Sequence, residues 1–279
     1  MTGVQTCALP ISDDAVEVFR RERPRVRGFD ATTRLQDFAI VTFAVDPDRL
    51  AARLPRGLAP EVRRLDDGRK VGFVSAVSFR DVDFRLAALP QIRASFDQTN
   101  YRAYLVAEGG RRAVYFFGTT LDSPLVAVPR LAWGMPWHAG RIRLAADWAA
   151  DGRCVKYRHR CSSRWGAVDV DLEGTAEPMG RLDGFADTED AAVVLTHPLD
   201  GFFRRRDGRL GRYAVWHERL RPQLGSANLA TYAVFLDAGL VGPGDAPHSV
   251  LLQRSIDFDV LLPPVPARES SSRRRRPQA

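Results

Sequence analysis

The stretch that decides the fold runs Thr99-Asn-Tyr-Arg-Ala-Tyr-Leu-Val-Ala107, then Glu108-Gly-Gly-Arg-Arg112, then Ala113-Val-Tyr-Phe-Phe-Gly-Thr-Thr-Leu121. Its two outer runs are rich in aromatic and β-branched residues, which favour strands. The Gly109-Gly110 pair between them is a strong signal for a tight turn. Together they predict a β-hairpin with strands over Thr99–Ala107 and Ala113–Leu121. An antiparallel strand pair is therefore expected in this part of the chain.

Further strand-like runs lie on both sides of this hairpin. Strands are predicted over Leu35–Val45, Val71–Phe79, Gly140–Trp148, Arg153–Cys161, Ala167–Glu177, Leu210–Glu218 and Ser249–Leu262. Only short helices are predicted between them, from Asp46-Pro47 through Leu54, after the Asp122-Ser123-Pro124 cap, and over Asp187–Leu195. The paired prolines Pro263-Pro264 are predicted to end the last strand. Many strands with few short helices indicate a β-dominated α+β fold with antiparallel sheets.

One face of the strand around Asn100 is polar. Side chains alternate along a strand, so Gln98, Asn100, Arg102 and Tyr104 share one face. A solvated sheet face would explain this pattern, and so would a functional site. The partner run Val114–Thr119 is aromatic on both faces, which favours a sheet that is covered on both sides. A buried Arg102 would then need an anionic partner from the protein or from a ligand.

Composition places the chain among globular proteins. It has 279 residues and a net charge of +7, enough length for one large domain. Residues 20–27 and 267–279 each carry a net charge of +4, which leaves about −1 for the rest. The positive charge therefore belongs to the two ends, and without a recognised module it does not predict nucleic-acid binding.

Four segments are expected along the chain. Residues 1–12 look like a translated sequencing adapter, with a short natural arm as the alternative, and are left out of the fold. A basic N-terminal arm is predicted over residues 13–34, a single domain over 35–266, and a disordered Arg-rich tail over 267–279.

Cysteine and histidine usage predicts no metal site and no cofactor. Cys154 and Cys161 lie seven residues apart in a predicted strand, so on a regular strand they face opposite sides and are expected to be buried, unbridged side chains. Few cysteines fit a reducing cytoplasm, which is the expected compartment. No apolar run is long enough to span a bilayer.

Several motifs in order give a family resemblance. They are Leu54-Pro-x-Gly57-Leu58, Gly68-x-x-x-Gly-Phe-Val-Ser-x-x-x-Phe79, Phe96-x-Gln98-x-Asn100-x-Arg102-x-Tyr104, Val114-Tyr-Phe-Phe117, and Arg130 followed by Gly134-Met-Pro-Trp-His-Ala139. The set is similar to the YqjF-like family, domain of unknown function 2071, over roughly residues 35–265. That family is placed in the acetoacetate decarboxylase-like superfamily, so the resemblance implies curved antiparallel sheets around an enclosed pocket.

The segment Val128–His138 resembles the decarboxylase active-site segment without its reactive amine. The decarboxylases carry a lysine pair after a Gly-x-Pro turn, and one of these lysines forms a Schiff base; here the two positions are Trp137 and His138. The typical glutamate of the YqjF-like family is Gln98, an amide that does not titrate. The resemblance therefore implies the fold without the decarboxylase chemistry.

Two arginines remain as candidate ligand contacts. Arg102 and Arg130 offer planar donors that suit a carboxylate or phosphate, although Arg130 fits equally well as a structural ion-pair partner of Asp122 or another acid. His138 is a weak candidate for an acid or base near neutral pH, with ordinary packing as the alternative. The predicted ligand-binding set is Gln98, Asn100, Arg102, Tyr104, Arg130, Trp137 and His138.

Three functions are compatible with these residues. The leading hypothesis is a domain that binds a small anionic organic molecule in a mostly apolar pocket. An alternative is a lysine-independent hydrolase or isomerase of a small acid that uses His138. A weaker alternative is an interaction protein that acts through the Arg273–Arg276 tail.

Overall fold

A computed structural model describes residues 22–107 and 110–267. The strands are β1 Ala31–Val45, β2 Ala59–Pro60, β3 Arg63–Arg64, β4 Lys70–Leu86, β5 Leu89–Val106, β6 Arg112–Leu121, β7 Trp137–Trp148, β8 Cys154–Ser163, β9 Val168–Pro178, β10 Asp200–Arg204, β11 Leu210–His217, β12 Gln223–Tyr232 and β13 Ser249–Pro266. The helices are α1 Pro47–Ala51, α2 Ala127–Ala132, α3 Thr188–Thr196 and α4 Ala233–Asp237, with a 3-10 turn at Pro124–Val126. The predicted β-dominated α+β class is confirmed.

The predicted hairpin is present as β5 and β6. These strands pair antiparallel from Gln98 opposite Leu121 to Val106 opposite Arg112. A second, longer hairpin joins β4 to β5 and continues to the pair Leu86 and Leu89. Both β4 and β5 are longer than predicted, because charged residues beyond Phe79 interrupt the apolar pattern without ending the strand.

The strands form one curved sheet that closes on itself in two places. Strand β6 pairs with β5 along one edge and with both β10 and β7 along the other. Strand β13 likewise pairs with β1, β11 and β12. One closed circuit of seven strands therefore runs β13-β1-β4-β5-β6-β10-β11, and a second circuit leaves β6 through β7, β8, β9 and β12. The pairings β6–β10 and β6–β7 are parallel, so the sheet is mixed rather than purely antiparallel.

The main core fills the second circuit. Its largest fully buried side chains include Phe43, Tyr101, Tyr157 and Phe235, which come from β1, β5, β8 and α4. Tyr101 lies on the odd-numbered face of β5, so the even-numbered face is directed to the other side of the sheet. As expected from the aromatic partner strand, both faces of this sheet are covered.

The predicted opposite orientation of the two cysteines is wrong. Both Cys154 and Cys161 are buried in the same core cluster, and both are unbridged. The register between β7 and β8 shifts where Ala146 pairs with Tyr157 but Trp148 pairs with Cys154. This bulge inserts one residue and moves Cys154 to the face of Cys161.

The chain ends also differ from the expected boundaries. Strand β1 begins at Ala31, inside the segment predicted as a basic arm. The prolines Pro263-Pro264 do not end β13, which continues to Pro266 across a register shift with β11. Residues 1–12, residues 13–21 of the arm, and the tail from Arg268 onward lie outside the described residues. None of the helices in the described parts of the chain has the length and apolar character needed to cross a bilayer.

Candidate functional site

A cavity of about 110 Å³ lies within the seven-strand circuit, and every strand of that circuit contributes to its wall. Most of the wall is apolar, with large side chains such as Phe79, Phe116, Trp137 and Phe258. Its polar members are Thr33, Asp81, Gln98, Asn100, Arg102, Thr196, Tyr213 and His217. A mostly apolar cavity with a few polar groups is typical of a small-molecule site.

Strand alternation along β4 and β5 sets the polar side of the wall. Gln98, Asn100 and Arg102 of β5 line the cavity, and Val77 and Phe79 of β4 stand opposite Asn100 and Gln98 in the ladder. The alternation predicted from the sequence therefore gives the correct face for these three polar residues. The same face is covered by protein rather than open to bulk solvent.

Arg102 is half-buried at this wall. Its Nε donates to Ser75 Oγ at 3.0 Å, and its Nη2 donates to the Tyr104 hydroxyl at 3.1 Å and to the Leu195 carbonyl at 2.9 Å. In residues 22–107 and 110–267, no carboxylate pairs with this guanidinium. A fixed positive charge without a counter-ion, beside an apolar cavity, is suited to an anionic ligand.

Tyr104 supports Arg102 from behind instead of lining the cavity. Its ring is buried, and its hydroxyl donates to the Leu195 carbonyl at 3.1 Å while it accepts from Arg102. The guanidinium also lies 5.2 Å from the centre of the Tyr104 ring. These contacts hold the guanidinium in one orientation.

The two amides of the wall are coupled to each other. Asn100 Oδ1 accepts from Gln98 Nε2 at 2.9 Å and from Thr119 Oγ1 at 2.8 Å. Both hydrogen bonds use the carbonyl oxygen, so the Asn100 Nδ2 group keeps its donors for a further partner. An anion held by Arg102 would find a second donor on the adjacent inward-facing residue.

A glycine turn brings the aromatic segment after α2 to the cavity. Gly134 has a φ of +65°, a left-handed conformation that L side chains rarely adopt, and a Cβ there would lie 3.3 Å from the Arg206 nitrogen. The N–H groups of Trp133 and Met135 both donate to the Pro129 carbonyl and so end α2. Trp133, Met135 and Trp137 then line the cavity.

His138 and Arg130 lie away from the cavity wall. His138 follows Trp137 on β7, and its ring stacks on Trp165 at 4.3 Å with an interplanar angle of 5°. Burial, and then the nearby Arg130 charge, lower the pKa of His138 to about 4, so the imidazole is neutral at pH 7. Arg130 is exposed on α2. Of the predicted site residues, the structure brings Gln98, Asn100, Arg102 and Trp137 together at the cavity.

Asp81 is a cavity residue that the sequence reasoning missed. The residue is 4% exposed, and its Oδ1 accepts from Thr33 Oγ1 at 2.9 Å, while Oδ2 receives no hydrogen bond from the described residues. Burial raises the pKa of Asp81 to about 7. Extending the alternation of β4 past Phe79 would have placed Asp81 on the cavity face.

His217 is a second missed residue. Its Nδ1 lies 2.8 Å from the Glu218 carbonyl oxygen. A carbonyl oxygen only accepts, so Nδ1 carries the proton and Nε2 is the unprotonated nitrogen, which can accept a hydrogen bond. Its ring stacks on Phe258 at 4.3 Å. Burial is the main cause that lowers the pKa of His217 to about 3, and the ring is therefore uncharged at neutral pH.

Among the described residues, the cavity wall contains no amine that could form an imine. The chain has two lysines, Lys70 and Lys156, and both lie in the described part on β4 and β8, outside the cavity lining. Within the described ranges, no three His, Cys, Asp or Glu side chains converge in a way that could hold a metal ion.

Residues 32–257 match the family described as domain of unknown function 2071, an uncharacterized conserved protein. The chain belongs to this family. The match covers six of the seven strands of the circuit around the cavity almost completely, and it covers β13 up to Asp257, so residues 258–266 of that strand lie beyond it. No protein of curated function matches the DUF2071 sequence.

The solved structures that this DUF2071 protein resembles are acetoacetate decarboxylase-like. The enduracididine biosynthesis enzyme MppR complexed with pyruvate is 18% identical with a TM-score of 0.55, covering 90% of this chain and 94% of that one. Acetoacetate decarboxylase from Legionella pneumophila subsp. pneumophila str. Philadelphia 1 is 14% identical with a TM-score of 0.56, covering 94% and 98%. An acetoacetate decarboxylase-like enzyme from Sphingomonas wittichii RW1 is 14% identical with a TM-score of 0.51, covering 84% and 92%. At such identities the likeness shows the fold alone, and the predicted acetoacetate decarboxylase-like fold is confirmed.

Proposed function

We propose that this DUF2071 protein binds a small organic carboxylate in the cavity of the seven-strand circuit, without forming an imine. The observation that carries the proposal is Arg102, whose guanidinium is fixed by three hydrogen bonds and lacks a carboxylate partner among the described residues. Asn100 supplies the second donor through its Nδ2 group. We place this activity in a reducing, cytoplasmic setting, because Cys154 and Cys161 are both unbridged.

A carboxylate fits this wall better than a phosphate. Arg102 is the one arginine that lines the cavity among the described residues, and His217 is neutral because burial lowers its pKa to about 3. One positive charge balances one carboxylate, whereas a phosphate would bring nearly two negative charges into an apolar site. The structure of MppR, whose fold is similar, holds pyruvate, a small carboxylate.

The chemistry proposed here is binding through hydrogen bonds and charge. The resemblance puts Trp137 and His138 at the positions of the decarboxylase lysine pair and Gln98 at that of a glutamate. Trp137 and Gln98 can neither form an imine nor move a proton, and His138 lies away from the cavity wall. Arg102 and Asn100 would hold the carboxylate, and the aromatic side chains of the wall would cover the organic part of the ligand.

The test is titration calorimetry with saturated carboxylates from acetate to decanoate. We expect saturable binding to the wild-type protein and at least a tenfold loss of affinity in Arg102→Gln, since a charge-assisted hydrogen bond contributes about 1.5–3 kcal/mol. Arg93→Gln is the matched control, because Arg93 lies on the same strand but is exposed and pairs with Asp83. Equal affinities in Arg102→Gln and the wild type would contradict the proposal.

A further inference from the structure

The cavity has a second polar end that the carboxylate proposal leaves unused. Asp81 is a buried carboxyl group on the same wall as Arg102, and its Oδ2 faces no hydrogen-bond donor among the described residues. Around it the wall is mostly apolar, with Leu35, Phe79 and Phe84. A carboxylate oxygen at the wall of a mostly apolar cavity is costly without a donor, so such groups normally find a partner in water or in a ligand.

The two polar ends are far apart along β4. Arg102 Nε donates to Ser75 Oγ, which fixes the guanidinium beside Ser75. Asp81 lies six residues further along the same strand, and the register with β5 is regular over this span. Six residues of strand cover ~20 Å at about 3.3 Å per residue. The guanidinium also reaches toward Tyr104, on the side away from Asp81.

The wall between these ends is suited to a hydrocarbon chain. Val77 and Phe79 lie between Ser75 and Asp81 on the cavity face of β4, and Phe116, Trp137 and Phe258 come from the other strands. The amides of Gln98 and Asn100 lie alongside on β5 and bond to each other, which meets part of their hydrogen-bonding capacity. Nothing on this part of the wall carries a net charge among the described residues.

We propose that the ligand is an elongated carboxylate whose far end carries a hydrogen-bond donor, a hydroxyl or an amine, which donates to Asp81. This inference rests on the proposed function, because Arg102 holds the carboxylate. It adds the chemical class of the ligand, which is a long carboxylate with a hydrogen-bond donor at its far end. Thr33 occupies Oδ1 of Asp81, so the donor of the ligand meets Oδ2. Burial raises the pKa of Asp81, as expected for a carboxyl group that has lost water and has gained only the Thr33 hydrogen bond from the described residues in exchange.

The probes are saturated carboxylates of six to twelve carbons, each compared with its ω-hydroxy and ω-amino counterparts by titration calorimetry. Short members cannot reach from Arg102 to Asp81, so we expect similar affinities within each short set. For the longest members we expect the ω-hydroxy or the ω-amino compound to bind about tenfold more tightly than the plain acid, the effect of one hydrogen bond to a charged acceptor. A preference for the hydroxyl alone or the amine alone identifies the ligand class.

Two variants test whether Asp81 causes the preference for the ω-substituted acids. Asp81→Ala removes the acceptor and should abolish the preference of both ω-substituted compounds, while the plain acids keep their affinity. Asp81→Asn retains an acceptor for Thr33 but removes the negative charge, so the preference for the amine should be lost. This variant keeps the inference testable if the alanine variant folds poorly. Asp83→Asn is the control, since Asp83 is on the same strand but pairs with Arg85 and Arg93.

The outcomes separate this inference from the proposed function. If plain acids bind in an Arg102-dependent way but the long ω-substituted probes show no preference, or keep it in Asp81→Ala, the carboxylate proposal stands and this inference is overturned. If no member of the series binds the wild-type protein, both are overturned.

Discussion

At the scale of single residues, Asp81 has the largest consequence for stability. Its pKa is raised to about 7 by burial, above about 3.9 in an unfolded chain. Stability contributed by the neutral carboxyl group is therefore fully present below pH 4 and is lost as the pH rises to about 7. Asp81→Asn removes this loss and keeps an acceptor for Thr33 Oγ1.

We accordingly expect Asp81→Asn to stabilise the protein at pH 8 by on the order of 3 kcal/mol, since one pKa unit corresponds to about 1.4 kcal/mol. The measurement is urea unfolding of both proteins between pH 4 and pH 8. The difference in unfolding free energy should grow over this range and then level off. A difference that stays constant across the range would show that Asp81 does not titrate as its burial indicates.

The cavity residues show how much of the candidate site could be predicted from the sequence. Alternation alone predicted that Gln98, Asn100 and Arg102 share a face, and all three line the cavity. Asp81 was not predicted, because the predicted strand stopped at Phe79, where charged residues begin. His138 was considered because it follows Trp137 at the positions of the decarboxylase lysines, yet adjacent residues on a strand face opposite sides.

At the scale of elements, the strand β6 depends on a glycine that admits a tryptophan ring. A Cβ at Gly118 would lie 2.6 Å from Cη2 of Trp165 and 2.9 Å from the Pro136 carbonyl oxygen. Trp165 in turn stacks on His138 and meets Tyr101 edge-on. The contact joins β6 to the loop before β9 and to the start of β7.

We expect Gly118→Ala to lower the unfolding free energy by about 2 kcal/mol, because a methyl group forced into a packed site displaces its neighbours. Gly180→Ala is the control, since a Cβ there would have no heavy atom within 4 Å. Urea unfolding followed by tryptophan fluorescence measures both. Equal stability of the two variants would mean that Trp165 can move without cost.

Strand existence was predictable at this scale, whereas strand irregularities were not. Runs of β-branched and aromatic residues gave the β5–β6 hairpin correctly. The bulge opposite Trp148, which moves Cys154 to the face of Cys161, leaves no signal in the local pattern, because an inserted residue is specified by the partner strand.

At the scale of the whole molecule, an ion pair holds the N-terminal segment against the last strand, β13. Arg23 donates from Nε and Nη2 to both carboxylate oxygens of Asp259, at 2.7 and 2.9 Å, and Asp259 is fully buried. Arg23 also lies 5.2 Å over the Trp216 ring of β11. A residue of the predicted basic arm thus contacts two strands of the circuit around the cavity.

We expect Arg23→Ala to cost about 2 kcal/mol of unfolding free energy, because it leaves a buried carboxylate without its charged partner. Arg25→Ala, which removes an exposed arginine that has no hydrogen bond to the described residues, should have little effect. Thermal melts of the two variants against the wild type decide this. An Arg23→Ala protein as stable as the wild type would show that the ion pair with Asp259 does not contribute to stability.

The fold class could be predicted from the sequence, but the closure of the sheet could not. Short strands in close succession predicted the β-dominated class, and the motif order predicted the family. The branching of β6 and β13, each of which pairs with three strands, depends on contacts between distant segments that local patterns do not encode. We propose that residues 31–266 act as a single domain, because both circuits run through the same five strands.

The alternation of core and cavity residues along β5 affects how such a protein can evolve. Its odd positions, such as Tyr101 and Ala103, belong to the main core, and its even positions, such as Asn100 and Arg102, belong to the cavity. The two sets interleave along one strand but contact different parts of the molecule. Descendants of one ancestor can therefore acquire new ligands by substituting the even positions while the odd positions preserve the architecture, and specificity can drift without the loss of the scaffold.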